Sequence, residues 1–345
     1  MTDRRRPGYG RPPMRRIALI SMLTVLALAL TWARSVEPAA RARTAIPRIA
    51  AVGDIACKNP PANNRSVCQY DDVAAAIGAG DYDKVLLLGD IQYEAGIYQD
   101  FVENFDVYFG DLLPSTAPAP GNHEYGDPGA AGYFRYFGSL APGSSYSFDL
   151  GAWHIISLDS TICGAGGLGC LPGTPQHSWL ARDLAGDDSL CTLAFWHHPR
   201  WDWLKYQNAD WAEDYELRRS KPLWDLLYAH HADLVLSGHN HNYSRWHPAD
   251  PQGELDLARG MTQFVVGTGG RNLNDFGNFH PPRHLRPRPD EGVRLPRSPI
   301  ASGRMGPPVD LGRRPARVHG SGQRHLSLIR RSRWTEAPLV PIVMA

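Results

Sequence analysis

The sequence predicts an α/β domain whose sheets are covered by helices, with a segment of different character at either end. Three observations lead there. From Ile49 onward, short apolar runs rich in β-branched residues alternate with stretches of helical spacing. Nearly every apolar run closes on a short polar cluster, most of which open on a glycine. Hydrophobic residues make up 43% of the 345 residues, which suits a globular protein with a real core. That length allows one large domain or two ordinary ones.

The first 42 residues read as an export segment. Arg4, Arg5, Arg6, Arg11, Arg15 and Arg16 are followed by an uncharged apolar run from Ile17 to Trp32, then by Ala40-Arg41-Ala42. Basic, apolar and small-residue regions in that order are what a secretory signal peptide requires. Arg15-Arg16 is also a weak twin-arginine match. The alternative is an uncleaved N-terminal anchor, since the run falls only slightly short of a membrane span. The expectation is therefore a secreted, extracytoplasmic protein, or one anchored by this segment. Membrane contact is expected only if the segment stays uncleaved. Lys plus Arg (36) nearly balance Asp plus Glu (35), so nucleic acid is not an expected partner.

Residues 43–280 form the predicted central domain. Strands are expected at Ile49–Val52, Val85–Leu88, Trp153–Leu158, Thr192–Trp196, Leu234–Leu236 and Phe264–Val266, with helical patterns at Tyr70–Gly78, Gln176–Leu184 and Lys221–His230. Cys57/Cys68 and Cys163/Cys170 are close pairs in Gly-, Pro- and Asn-rich loops, where short disulfides are expected after export. Neither pair has zinc-site spacing. Cys191 is the odd one of the five.

The polar clusters are Gly53-Asp54, Gly89-Asp90, Gly121-Asn122-His123-Glu124, His197-His198 and Gly238-His239-Asn240-His241. Singly each is weak, because Gly-Asp after a strand is more often a turn or a helix cap. Five of them at strand ends, where α/β folds gather their ligands, point to one site. Its donors are oxygens and imidazoles without thiolates, which suits Fe, Mn or Zn. Two cations ~3.5–4 Å apart need a shared anion, and the carboxylates supply one.

These clusters, taken in order, resemble the calcineurin-like metallophosphoesterase superfamily over about Ile49 to Asn278. The resemblance rests on Gly53-Asp54, Gly89-Asp90, Gly121-Asn122-His123-Glu124, His197-x-Pro199 and Gly238-His239-x-His241. It implies a β-sandwich of two mixed sheets flanked by helices, with a dinuclear metal site at the strand ends. Most members carry Asp-x-His in the first cluster, whereas Ala56 stands here and cannot ligate. Tyr93, three residues after Asp90, instead gives the Gly-Asp-x-x-Tyr pattern of the purple acid phosphatase branch. Phenolate is a hard anionic donor that favours Fe(III).

The resemblance implies that Asp54, Asp90, Tyr93 and His241 hold Fe(III). Asp90, Asn122, His197 and His239 would hold a divalent Fe, Zn or Mn ion, with Asp90 bridging. His197 is preferred to His198 because the family's ligand lies two residues before the proline. Hydrolysis of a phosphomonoester by in-line attack of a metal-bound hydroxide would follow, with His123 positioning the phosphate and protonating the leaving oxygen. The substrate would be a small-molecule or protein phosphate ester. Trp201, Tyr243 and Arg245 are candidate substrate contacts, along with Trp203 and Tyr206. Two alternatives stay open: a phosphodiesterase using Mn or Zn, and a non-catalytic metal- or phosphate-binding protein with a damaged C-terminus.

Residues 281–345 carry thirteen Arg but no Lys, Phe, Tyr or Cys. Pro- and Arg-rich sequence with few aromatics buries too little apolar surface to order itself, and it offers no strand candidate. Two expectations follow. One is a frameshifted reading of a strand-forming end in GC-rich coding sequence, and the other is a genuine disordered basic tail.

Overall fold

The computed structural model describes residues 47–58, 68–202 and 218–274, together with the backbone of a strand at 342–344. The export segment, Trp203, Tyr206 and residues 281–341 of the tail lie outside the described residues. The strands are β1 (Ile49–Val52), β2 (Lys84–Leu88), β3 (Thr116–Ala119), β4 (Tyr146–Leu150), β5 (Trp153–Ser157), β6 (Cys191–Phe195), β7 (Leu234–Ser237), β8 (Tyr243–Arg245), β9 (Thr262–Val266) and β10 (Ile342–Met344). The principal helices are α1 (Tyr70–Gly78), α2 (Tyr98–Asp100), α3 (Asp106–Phe109), α4 (Ala131–Phe137), α5 (Pro175–Gly186) and α6 (Lys221–Ala229). A π-helical stretch, Phe101–Phe105, carries α2 directly into α3.

Two sheets result. One has the order β10-β1-β2-β3 with parallel pairing throughout. The other has the order β4-β5-β6-β7-β9-β8 and is mixed, because β4 and β8 run antiparallel at its edges. The strand at Ile342–Met344 corrects the expectation that the tail holds none. An Ile-Val-Met triplet is too short to show a period of two, and pairing with the edge of β1 defines it. The sequence also gave no signal for β3, whose Ala and Pro are poor strand formers. Pro118 is tolerated because β3 is a sheet edge among the described residues.

Strand alternation sorts the apolar side chains into three cores. Ile49, Ala51, Leu86 and Leu88 face Ile155, Leu193, Leu236 and Phe264 between the two sheets. On the far side of the first sheet, Ala50, Val52, Val85 and Leu87 pack with Tyr70, Phe101, Phe105 and Phe137 from the helices. On the far side of the second, Ile156, Ala194 and Val235 pack with Leu180, Leu223 and Trp224 of α5 and α6. The order is helix, sheet, sheet, helix, and the carboxyl ends of β1, β2, β6 and β7 open together.

Polar groups pin the second sheet to α5. His154 on β5 sits 2.8 Å from Asp149 on β4 and 2.9 Å from Asp183 on α5. Ser147 donates to the other oxygen of Asp183 at 2.7 Å. The hydrogen bond to Asp183 leads the effects that raise the His154 imidazole from 6.5 to about 9, against the opposing pull of burial. Disulfides join Cys57 to Cys68 and Cys163 to Cys170, and Cys191 is buried at the start of β6. Among the described residues no helix is long and apolar enough to cross a membrane.

Candidate metal centre

Three of the five strand-end clusters hold a residue whose backbone is one that side-chain-bearing residues rarely adopt. Asp54, Asp90 and His239 have φ of 62°, 47° and 71°. Such left-handed residues cost about 1–3 kcal/mol each and concentrate where a side chain must be aimed. Three of them, after β1, β2 and β7, turn their side chains toward one point. Gly89 is required as glycine on two counts: its φ is +82°, and a Cβ there would lie 2.6 Å from Nδ1 of His197.

Glu124 holds the turn that carries Asp90. It is fully buried, and its carboxylate accepts from the backbone N–H of Asp90 (2.9 Å), Ile91 (2.8 Å), Gln92 (3.1 Å) and Gly121 (2.7 Å). Sequence reasoning quoted this residue without giving it a task. Its signal was position, a carboxylate three residues after a glycine turn.

The seven predicted metal ligands converge. The Tyr93 hydroxyl lies 3.1 Å from Oδ1 of Asp54, 3.4 Å from Oδ2 of Asp90 and 3.0 Å from Nε2 of His241. Nε2 of His197 lies 3.0 Å from Oδ2 of Asp90, 3.2 Å from Oδ1 of Asn122 and 3.2 Å from Nδ1 of His239. The backbone N–H of His239 donates to Oδ2 of Asp54 at 2.8 Å. Two imidazoles are oriented by carbonyls, which can only accept. His197 donates from Nδ1 to Leu88 (2.9 Å) and His241 from Nδ1 to Asn272 (2.8 Å), so both turn Nε2 inward. Ala56, where most of the superfamily place histidine, is buried with its backbone bridged to Gln92.

His123 stands at the rim. Its Nδ1 donates to the Glu94 carbonyl at 2.5 Å, its Nε2 is 3.9 Å from Oδ2 of Asp90, and its ring centroid is 4.3 Å from that of Tyr93. His198 lies behind, with Ser160 Oγ 2.9 Å from its Nδ1 and its ring 4.5 Å from that of His239. Arg271 was missed by sequence reasoning. Its guanidinium carbon lies 4.3 Å from the Tyr93 ring centroid, and Nη2 pairs with Glu94 at 3.1 Å.

The electrostatics fit cations. Burial pushes the Asp54 carboxyl up to about 8, partly offset by His197 and reinforced by Asp90. Burial also raises Asp90, but His197, His123 and His239 outweigh it and hold that carboxyl well below its usual range. No Lys or Arg among the described residues pairs with either carboxylate. Burial brings His239 down to about 3 and His241 below its ordinary value, so both imidazoles keep a lone pair. His197 runs the other way: Asp90 overcomes its burial and lifts it to about 9. Burial first, then Asp54 and Asp90, raises the Tyr93 phenol well above 10. Asp54, Asp90 and His197 each offer one atom within 4.8 Å of the others, as do His197, His198 and His239. Buried carboxylates, a phenol, an amide oxygen and imidazoles, those of His239 and His241 neutral, form a donor set that suits hard or borderline metal ions.

The predicted substrate contacts fare differently. Trp201 is 2% exposed and packs edge-on to Trp224 in the outer core, so the expectation of an entrance residue is corrected. The local cause is its place beyond the Pro199 turn, on the helical side of the second sheet. Arg245 lies over the Phe264 ring at 5.6 Å, and Tyr243 packs on the core between the sheets. Neither makes a hydrogen bond or ion pair with the ligand cluster. Along β8 the chain runs antiparallel to β9 and so leads Arg245 away from the strand ends.

Comparison with known proteins matches residues 47–243 to the calcineurin-like phosphoesterase family. The chain is 28% identical to purple acid phosphatase 15 of Arabidopsis thaliana over 225 residues, covering 54% of this chain and 40% of that protein. It is 28% identical to human acid phosphatase type 7 over 281 residues, covering 72% and 59%. The chain thus spans about half the length of the curated relatives it matches. The solved structure of a purple acid phosphatase, PPD1, from yellow lupin seeds superposes with a TM-score of 0.51 at 21% identity, covering 69% of this chain and 46% of that one. At that identity the likeness is one of fold.

Proposed function

The chain belongs to the calcineurin-like phosphoesterase family, and on that premise we propose that it hydrolyses phosphomonoesters as an acid phosphatase-like enzyme with two metal ions. The observation that carries this reading is the Tyr93 hydroxyl, set within 3.4 Å of Asp54, Asp90 and His241 while Ala56 leaves the usual histidine position empty of a donor. Asp54, Asp90, Tyr93 and His241 would hold Fe(III). Asp90, Asn122, His197 and His239 would hold a divalent Fe, Zn or Mn ion. When bound, such ions neutralise phosphate charge and make water nucleophilic near neutral pH.

The chain's own groups do the rest. The carbonyls of Leu88 and Asn272 fix His197 and His241 with Nε2 inward. Glu124 freezes the turn that aims Asp90. His123, committed to the Glu94 carbonyl through Nδ1, has only Nε2 left to offer the leaving oxygen, where its proton would neutralise the departing alkoxide. The two disulfides support a place outside the cytoplasm, where such bonds persist.

Metal analysis, a visible spectrum and hydrolysis of a chromogenic phosphomonoester and diester test this together. Expected are two metals including iron, a broad visible band abolished in Tyr93→Phe, and monoester turnover that falls about 10²–10⁴-fold in His123→Ala. Two metals and diester turnover without the band would replace the reading with a phosphodiesterase using Mn or Zn. Two metals with neither turnover would leave a binding protein.

A further inference from the structure

We propose that Arg271 is a positioning residue for Tyr93, its guanidinium lying on the phenol ring and weakening the oxygen as a metal donor. The proposal rests on the reading of Tyr93 as a ligand and goes beyond it. Arg271 lies outside the family-matched residues 47–243, so the family motifs do not supply it.

The placement is fixed by backbone as well as side chain. Arg271 donates its N–H to the carbonyl of Asp54 at 3.2 Å and bridges to Cys68 on the other side. Its neighbour Asn272 orients His241, and Asn274 donates to the carbonyl of His241 at 2.7 Å. One short stretch therefore reaches Asp54, Tyr93 and His241, all assigned to the same ion. Within it the Arg271 side chain is only 20% exposed, its guanidinium carbon sits 4.3 Å from the Tyr93 centroid, and Nη2 is held by Glu94 at 3.1 Å. Its Nε has no hydrogen-bond partner among the described residues. A partly desolvated cation over an aromatic face interacts with the ring's π electrons, and more strongly as those electrons gain charge. A phenolate ring thus has its donor electrons lowered in energy by the guanidinium. Groups that touch a ligand but not the ion tune a metal centre in this way.

The visible band of the iron-loaded protein reads this directly, because it moves an electron from phenolate to iron. In Arg271→Met the band maximum should shift to longer wavelength at unchanged iron content, and Arg271→Lys should restore part of the shift. Glu94→Gln, at an exposed side chain, frees the guanidinium to drift and should move the band the same way by less. A maximum unmoved in both Arg271→Met and Glu94→Gln, with iron retained, overturns the proposal while leaving Tyr93 as a ligand. If Arg271→Met fails to fold, an unmoved Glu94→Gln band overturns it alone. A parent protein without a Tyr93-dependent band defeats the underlying reading, and the proposal with it.

Discussion

Glu124 takes four backbone N–H groups into one buried carboxylate, and those four donors have nowhere else to turn. A buried donor left unmet costs about 1–3 kcal/mol. Glu124→Ala should therefore lower the unfolding free energy of the metal-free chain by about 3 kcal/mol or more, measured by denaturant titration. Glu124→Gln, which keeps a carbonyl acceptor, should lose less. Equal losses in the two variants would show that acceptance at this site does not hold the turn. At this scale the sequence was most legible for residues whose type announces chemistry. Asp54, Asp90, Asn122, His239 and His241 stand in clusters that open on a strand-end glycine, His197 stands beside a second histidine, and Tyr93 follows Asp90 by three residues. Arg271 and the burial of Trp201 were not legible, since both depend on which chain segment lies opposite and not on local pattern.

The hairpin of β4 and β5 is tied to α5 by a charged imidazole between two carboxylates. Its folded pKa, about 9, lies above the ordinary 6.5. The contribution to stability is therefore complete below about 6.5 and fades as pH rises through 9. Asp183→Asn should flatten the decline in melting temperature across that window relative to the parent. Parallel declines would show that the clamp does not contribute. Strands ending at Val52, Leu88 and Val266 were legible from apolar runs, because burial on both faces leaves an uninterrupted signal. The helical turns from Tyr98 to Phe109 were not, since a π-helical stretch shifts the side-chain period midway.

For the molecule as a whole, ions that bind only the folded chain stabilise it by mass action, about 2.7 kcal/mol for each at a hundredfold excess over its Kd. Chelation should lower the melting temperature and readdition of iron and zinc should restore it; identical melting curves would mean that no ion is held. An α/β domain with helix-covered sheets was legible from alternating strands and helices, whereas the sorting of strands into two sheets came only from the family resemblance, because pairing across long loops leaves no local mark. That long-range pairing also sets a sequence of events in time. The bond from His239 to Asp54 spans 185 positions and that from His197 to Leu88 spans 109. No early fragment of the folding chain presents a complete set of donors, and contacts of such separation form slowly. The proposed donor set is complete only after assembly, so the pace of metal uptake during refolding would be a clock for the closing of the two sheets.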